Sequence, residues 1–208
     1  KVDQVDDYHG TKIADPYRWL EDLDSNDTAA WVASQNEVTF GYLNTIPQRE
    51  PIKKRLTKLW DYERFGLPSK EGSRFVFSRN TGLQNQSVVY VADALDAEPR
   101  VLIDPNTLSS DGTVALGGTE FTEDGAKMSY STSASGSDWR EIKIRDVATG
   151  KDLDDQIKWV KFSGTSWTKD GTGFYYSRYD EPKNDANKLE DVNYFQKLYY
   201  HRLGKPQS

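Results

Sequence analysis

Two histidines, His9 and His201, are the only imidazoles in this 208-residue sequence, and it contains no cysteine. Proton transfer near neutral pH would rest on those two rings. Acyl transfer needs an activated hydroxyl or thiol within reach of a base. The strained Gly-x-Ser-x-Gly turn that presents such a serine does not occur in the sequence. His9 lies in a polar segment without periodicity and His201 in an alternating, strand-like run, so each is read as a structural hydrogen-bonding residue. The acidic clusters Asp180-Glu181 and Glu190-Asp191 lack the ligand spacing of a cation loop. No Gly-rich turn opens a helix to cradle phosphate. No metal and no cofactor is expected, and binding or access remains as the contribution of these residues.

Composition narrows the partners. The net charge is −6, from 33 acidic and 27 basic residues, which argues against a nucleic-acid groove. No apolar run approaches the ~18 residues of a spanning helix, so no membrane is expected. The lack of cysteine excludes disulfides, thiolate chemistry and cysteine-held zinc. It favours a reducing, cytoplasmic compartment and leaves the bacterial periplasm open. Six Trp and twelve Tyr suit β-rich packing.

The elements that position everything else are set by a repeat. The run from Val114 to Gly125 is echoed 46 residues later, from Val160 to Gly171. Val114/Val160, Gly118/Gly164, Thr119/Thr165, Thr122/Thr168, Asp124/Asp170 and Gly125/Gly171 match, with Leu116/Phe162 and Phe121/Trp167 as apolar partners. Each Asp-Gly leads into a short strand whose serine, Ser131 or Ser177, lies seven positions after the aspartate. Glu71-Gly72 and Ser78 form a third copy. A second alternating strand follows each time, at 88–93, 141–146 and 198–202. A period in the forties with four short strands predicts β-propeller blades. About three blades are present. A single blade cannot bury both its faces, so the chain reads as part of a larger ring, with 114–121 and 160–167 as inner strands.

Residues 1 to about 60 differ. Lys1 to Asp24 reads as an irregular arm. Ser25 to Thr28 supplies N-caps for a helix from about Thr28 to Asn44, with Trp31, Val38 and Tyr42 as a stripe flanked by Val32 and Phe40. Pro51 suits the first turn of a second helix, in which Ile52, Leu56, Leu59 and Trp60 share a face. Two helices and an arm cannot make a core, so these faces need a partner.

Five words occur in order along the chain: Asp7-Tyr8-His9-Gly10; Asp15-Pro16-Tyr17-Arg18-Trp19-Leu20-Glu21-Asp22; Asn80-Thr81-Gly82-Leu83-Gln84-Asn85-Gln86; Ser109-Ser110-Asp111-Gly112-Thr113-Val114-Ala115-Leu116; and Ser133-Ala134-Ser135-Gly136-Ser137-Asp138-Trp139. Together they resemble the prolyl oligopeptidase family of serine peptidases. The resemblance implies a mainly β fold: a partial propeller, about three of seven blades, behind an arm with two α-helices that belong to an α/β-hydrolase domain. Residues 1–60 would be the N-terminal segment of that domain and 61–208 the first blades, truncated. It also implies cleavage of short peptides after proline, with the propeller restricting access. The catalytic triad would lie in a later segment, so no catalytic residue is expected here and these residues alone should be inactive.

The resemblance assigns Phe162 to the substrate cavity, although its repeat partner Leu116 leaves blade core open. Twenty residues separate Ser177 from Leu198, against nine between Ser78 and Val88. This charged insertion, with Arg178, Asp180, Lys183, Asp185, Lys188 and Glu190, corresponds to a loop facing the hydrolase domain that helps gate access. Asp138 is placed at the domain interface. The implied partners are small peptides, the remaining blades and the hydrolase domain. Two alternatives stand: a non-catalytic propeller module that binds peptides or partners, and a sister peptidase that cuts after basic residues or releases acylated amino acids.

Overall fold

The computed structural model describes residues 1–182 and 193–207. The chain divides into two compact units, Lys1–Leu59 and Trp60–Ser208.

The first unit opens with a hairpin, β1 (Val5–Tyr8) against β2 (Thr11–Ala14). Two residues close it, both left-handed: His9 at φ 54° and Gly10 at φ 91°. The Asp7 carboxylate accepts from Gly10 N–H at 2.6 Å, which holds the turn. The expected irregular arm is therefore corrected: its first half is a ladder of four-residue strands, too short to show alternation. Arg18 then pairs with Asp6 and with Asp15, the latter at 2.7 Å, and pins the following turn to the hairpin.

Helix α1 runs Asn26–Leu43, starting two residues before the expected boundary. Ser25 caps it by accepting from Thr28 N–H at 3.1 Å. Helix α2 runs Arg49–Trp60, with Pro51 in its first turn. No apolar side chain of residues 1–59 is buried. Val38 and Tyr42 are 71% and 69% exposed, and Ile52, Leu56 and Leu59 are exposed too.

Among the described residues, the second unit holds three antiparallel sheets met in chain order. In the first, β3 (Arg64–Phe65) and β4 (Ser69–Glu71) lie end to end on one side of β5 (Arg74–Asn80), followed by β6 (Val88–Ala92) and β7 (Arg100–Ile103). The second is β8 (Val114–Phe121), β9 (Lys127–Ala134), β10 (Arg140–Asp146) and β11 (Asp152–Val160). The third holds β12 (Ser166–Trp167), β13 (Gly173–Arg178) and β14 (Lys197–Arg202).

The middle sheet serves two cores. Met128 and Tyr130 pack with Val76, Val91, Leu102, Ile103 and Val147 against the first sheet. Ile142, Ile144, Ile157 and Val160 pack with Phe174 and Tyr176 against the third. Sheets stacked face to face in chain order are successive propeller blades, so the structure is a partial β-propeller.

The repeated acidic-Gly turns have a physical reason. Asp124 Oδ1 accepts from Thr122 Oγ1 at 2.6 Å and Ala126 N at 2.9 Å. Asp170 Oδ1 repeats this with Thr168 Oγ1 at 2.6 Å and Thr172 N at 3.1 Å. Gly125 and Gly171 sit at φ 67° and 63°. Bonds from Thr122 and Thr168 hold the two carboxyls below the usual aspartate range.

One expectation fails. The predicted inner strand 160–167 is divided: Val160 ends β11, and only Ser166–Trp167 pairs as β12. Phe162, at φ 52°, turns the chain between the two sheets.

Candidate substrate-binding site

Phe162 leaves the end of β11 with its ring 64% exposed and outside both cores. It lines a cavity of 290 Å³ with Gly118, Glu120, Ser129, Arg140 and Gly164 among the other walls. The cavity lies between the second sheet and residues 162–165, which lead into the third. Ser129 Oγ and Thr165 Oγ1 meet across it at 2.6 Å, and the Trp167 indole donates to Ser129 Oγ at 3.1 Å. Ser163 Oγ accepts from Ser177 N–H at 2.8 Å, so the turn carrying Phe162 is tied to β13. An apolar ring beside one cation, one carboxylate and several hydroxyls suits a peptide side chain with its flanking amides.

Among the described residues, neither histidine lines this cavity. His201 is buried, and its Nε2 lies 2.7 Å from Asp155 Oδ1, which also accepts from Gly204 N–H at 2.8 Å. That pair joins β14 to β11. His9 is the exposed corner of the hairpin. Among the described residues, no group of three His, Cys, Asp or Glu could hold a metal. Among them, too, no helix is long and apolar enough to cross a membrane.

The residues assigned to the charged insertion fall in several places. Arg178 ends β13, donates to Tyr179 O at 3.0 Å and lies 4.2 Å from the Tyr199 ring centroid. Asp180 pairs with Lys197 at 2.6 Å, and that bond holds its carboxyl below the usual range. Lys183, Asp185, Lys188 and Glu190 lie outside the described residues. Asp138 is exposed, in the turn before β10.

Sequence reasoning missed Lys161, which is only 7% exposed beside Phe162. Its ammonium lies 4.0 Å from the Trp139 ring centroid and donates to Asn193 Oδ1 at 3.1 Å. It also missed Arg140 and Glu120 as cavity walls. Their only signal was position: Glu120 is an exposed residue late in β8, and Arg140 follows the Ser-Asp-Trp word.

The profile of the family described as "Prolyl oligopeptidase, N-terminal beta-propeller domain" matches residues 1–208. The chain belongs to the prolyl oligopeptidase family. A prolyl endopeptidase of Elizabethkingia meningoseptica is 45% identical over all of this chain and 29% of its own length. A prolyl endopeptidase of Dictyostelium discoideum is 32% identical over 93% of this chain and 31% of its own. Among solved structures, one from a study of two prolyl endopeptidases superposes with a TM-score of 0.86 at 30% identity, covering 98% of this chain and 30% of that one. Prolyl oligopeptidase B of Galerina marginata, bound to a 25-residue macrocyclization substrate, gives 0.80 at 28% identity, covering 98% and 31%. The chain thus spans under a third of the relatives it matches. Within that span it is this family's propeller segment, and its curated relatives are peptidases.

Proposed function

We propose that these residues are the N-terminal part of a serine endopeptidase that hydrolyses short peptides on the carboxyl side of proline. Residues 1–60 would complete the hydrolase domain, and 61–208 would be the first blades of a propeller that restricts access to small peptides. The supporting observation is Phe162. The position that the family resemblance assigns to the substrate cavity carries an exposed aromatic ring at the wall of an open cavity, on a left-handed turn that aims it away from both blade cores.

On this reading the chemistry lies in the remaining polypeptide. A serine oxygen attacks the carbonyl carbon of the bond after proline. A histidine takes the hydroxyl proton and returns it to the leaving amine, and water then releases the acyl group. Phe162 supplies apolar contact to a residue upstream of the proline, a uniform binding term that appears in KM more than in kcat. The segment containing Arg178, Asp180, Lys183, Asp185, Lys188 and Glu190 would gate access, and Asp138 would face the hydrolase domain.

In the full-length protein, Phe162→Ala should raise KM for blocked tripeptides about fivefold or more with kcat within about twofold. An unchanged KM on correctly folded enzyme would refute the pocket assignment. These 208 residues assayed alone should turn over no proline substrate, and any turnover contradicts the proposal.

A further inference from the structure

We infer that Lys161 is a positioning residue that sets the aim of Phe162 and couples it to the segment following the charged insertion. The inference rests on the reading of Phe162 as a substrate-contacting ring.

Lysine is seldom this buried, because desolvating an ammonium is costly unless other groups replace the water. Here the replacement is the Trp139 face on one side and the Asn193 amide oxygen on another. The seat is itself braced. Trp139 meets Trp159 edge-to-face at 5.7 Å and Tyr179 at 6.3 Å. A bulge shifts the β10–β11 register between Arg140 and Ile142, where Trp159 adopts φ 62°. Two left-handed non-glycine residues, Trp159 and Phe162, therefore flank Lys161. Such conformations persist only where the surroundings over-determine them, and they concentrate at functional sites.

Both ends of Lys161 reach the same neighbouring stretch. Its ammonium holds Asn193, and its carbonyl accepts from Gln196 Nε2 at 2.9 Å. The next residue along the chain is Phe162. A displacement of residues 193–196 is thus transmitted to the ring through two bonds on one residue. An apolar side chain could fill the volume above Trp139 but could not hold Asn193.

The test uses the full-length enzyme and a pair of blocked proline peptides, one long enough to reach Phe162 and one a residue shorter. Lys161→Met should raise KM for the longer peptide about fivefold, with a much smaller effect on the shorter one and on kcat. Lys161→Arg should restore most of the loss, and in a Phe162→Ala background Lys161→Met should add little further. Should Lys161→Met fail to fold, the exposed Gln196→Leu should give the same substrate-length-dependent rise. Equal loss on both peptides, no rescue by arginine, or full additivity with Phe162→Ala overturns the inference while leaving the pocket intact. If Phe162→Ala itself leaves KM unchanged, the pocket reading falls first and the inference with it.

Discussion

At the scale of single residues, the first two blades are joined by a charge that works across sheets. Arg145 grips Asp152 through Nε at 2.7 Å and Nη2 at 3.1 Å, donates to Leu102 O of the first sheet at 2.7 Å, and lies 5.1 Å from the Tyr130 ring centroid. The Tyr130 hydroxyl donates to Asp152 Oδ2 at 2.7 Å. Burial, reinforced by this carboxylate, pushes the phenol up. Burial also opposes the Asp152 charge, but the Arg145 and Tyr130 bonds outweigh it and hold the carboxyl below its ordinary 3.8. A lowered folded-state value means the contribution is complete at neutral pH and fades as pH drops below about 4. Asp152→Asn should therefore cost about 1–2 kcal/mol at pH 7, allowing for its partial solvation, and the gap to wild type in thermal unfolding should narrow toward pH 3. In the turns, Thr122 is buried and Thr168 half-buried, with the same bonds to their aspartates. Thr122→Val should accordingly destabilise more than Thr168→Val, by about 1 kcal/mol in thermal unfolding. The Thr and Asp of these turns were legible from their repetition. The Arg145 partners were not, because Asp152 meets it only when β11 pairs with β10 and Leu102 only when the sheets stack. Nor was Lys161, whose seat depends on left-handed residues that no local pattern announces.

Among the elements, inner edges differ more than their sequences suggest. The echo between 114–125 and 160–171 foretold two equal strands, yet only β8 runs the full length. In β8 the irregularity is absorbed by Gly117-Gly118, where the register shifts between Leu116 and Thr119. Ahead of the third sheet the matching residues are Ser163-Gly164, and there the chain has already left its strand at the left-handed Phe162. A repeat in sequence marks where strands start and which residues close their turns, while a bulky left-handed residue can still redirect the chain between them. Between β5 and β6, the side chain of Gln86 hydrogen-bonds to β8. Gln86 Nε2 donates to Val114 O at 2.8 Å, and its Oε1 accepts from Leu116 N–H at 2.9 Å, in the manner of a strand's own amide. Asn106 fixes the Gln86 backbone at 2.9 Å on each side. Gln86→Leu would orphan both β8 groups and should destabilise by about 2 kcal/mol. Gln86→Glu should recover little, because it loses the donor. Paired thermal melts of the two variants would check this.

For the whole molecule, the legible part was an apolar helix face with no partner in its own unit. The pattern of Ile52, Leu56, Leu59 and Trp60 identified a face, and the structure leaves that face in solvent. The relatives' greater length supplies polypeptide that could cover it. Residues 1–60 produced alone should bind a hydrophobic dye and melt without a cooperative transition; a sharp transition with little dye binding would mean the helices need no partner. The acidic-Gly turns carry a different consequence. Any methyl added to Gly72 would overlap the Asp124 carbonyl, one on Gly125 would overlap that of Glu71, and Gly171 abuts Thr122. The Gly72 and Gly125 corners touch backbone to backbone, whereas Asp96 and Gly150 lie at open connections. Epitope tags spliced after Asp96 or Gly150 should be accommodated, while the same tags after Gly72 or Gly125 should abolish soluble expression. Lineages of this family would then be free to lengthen the rim of the ring but obliged to keep its stacked corners at constant length.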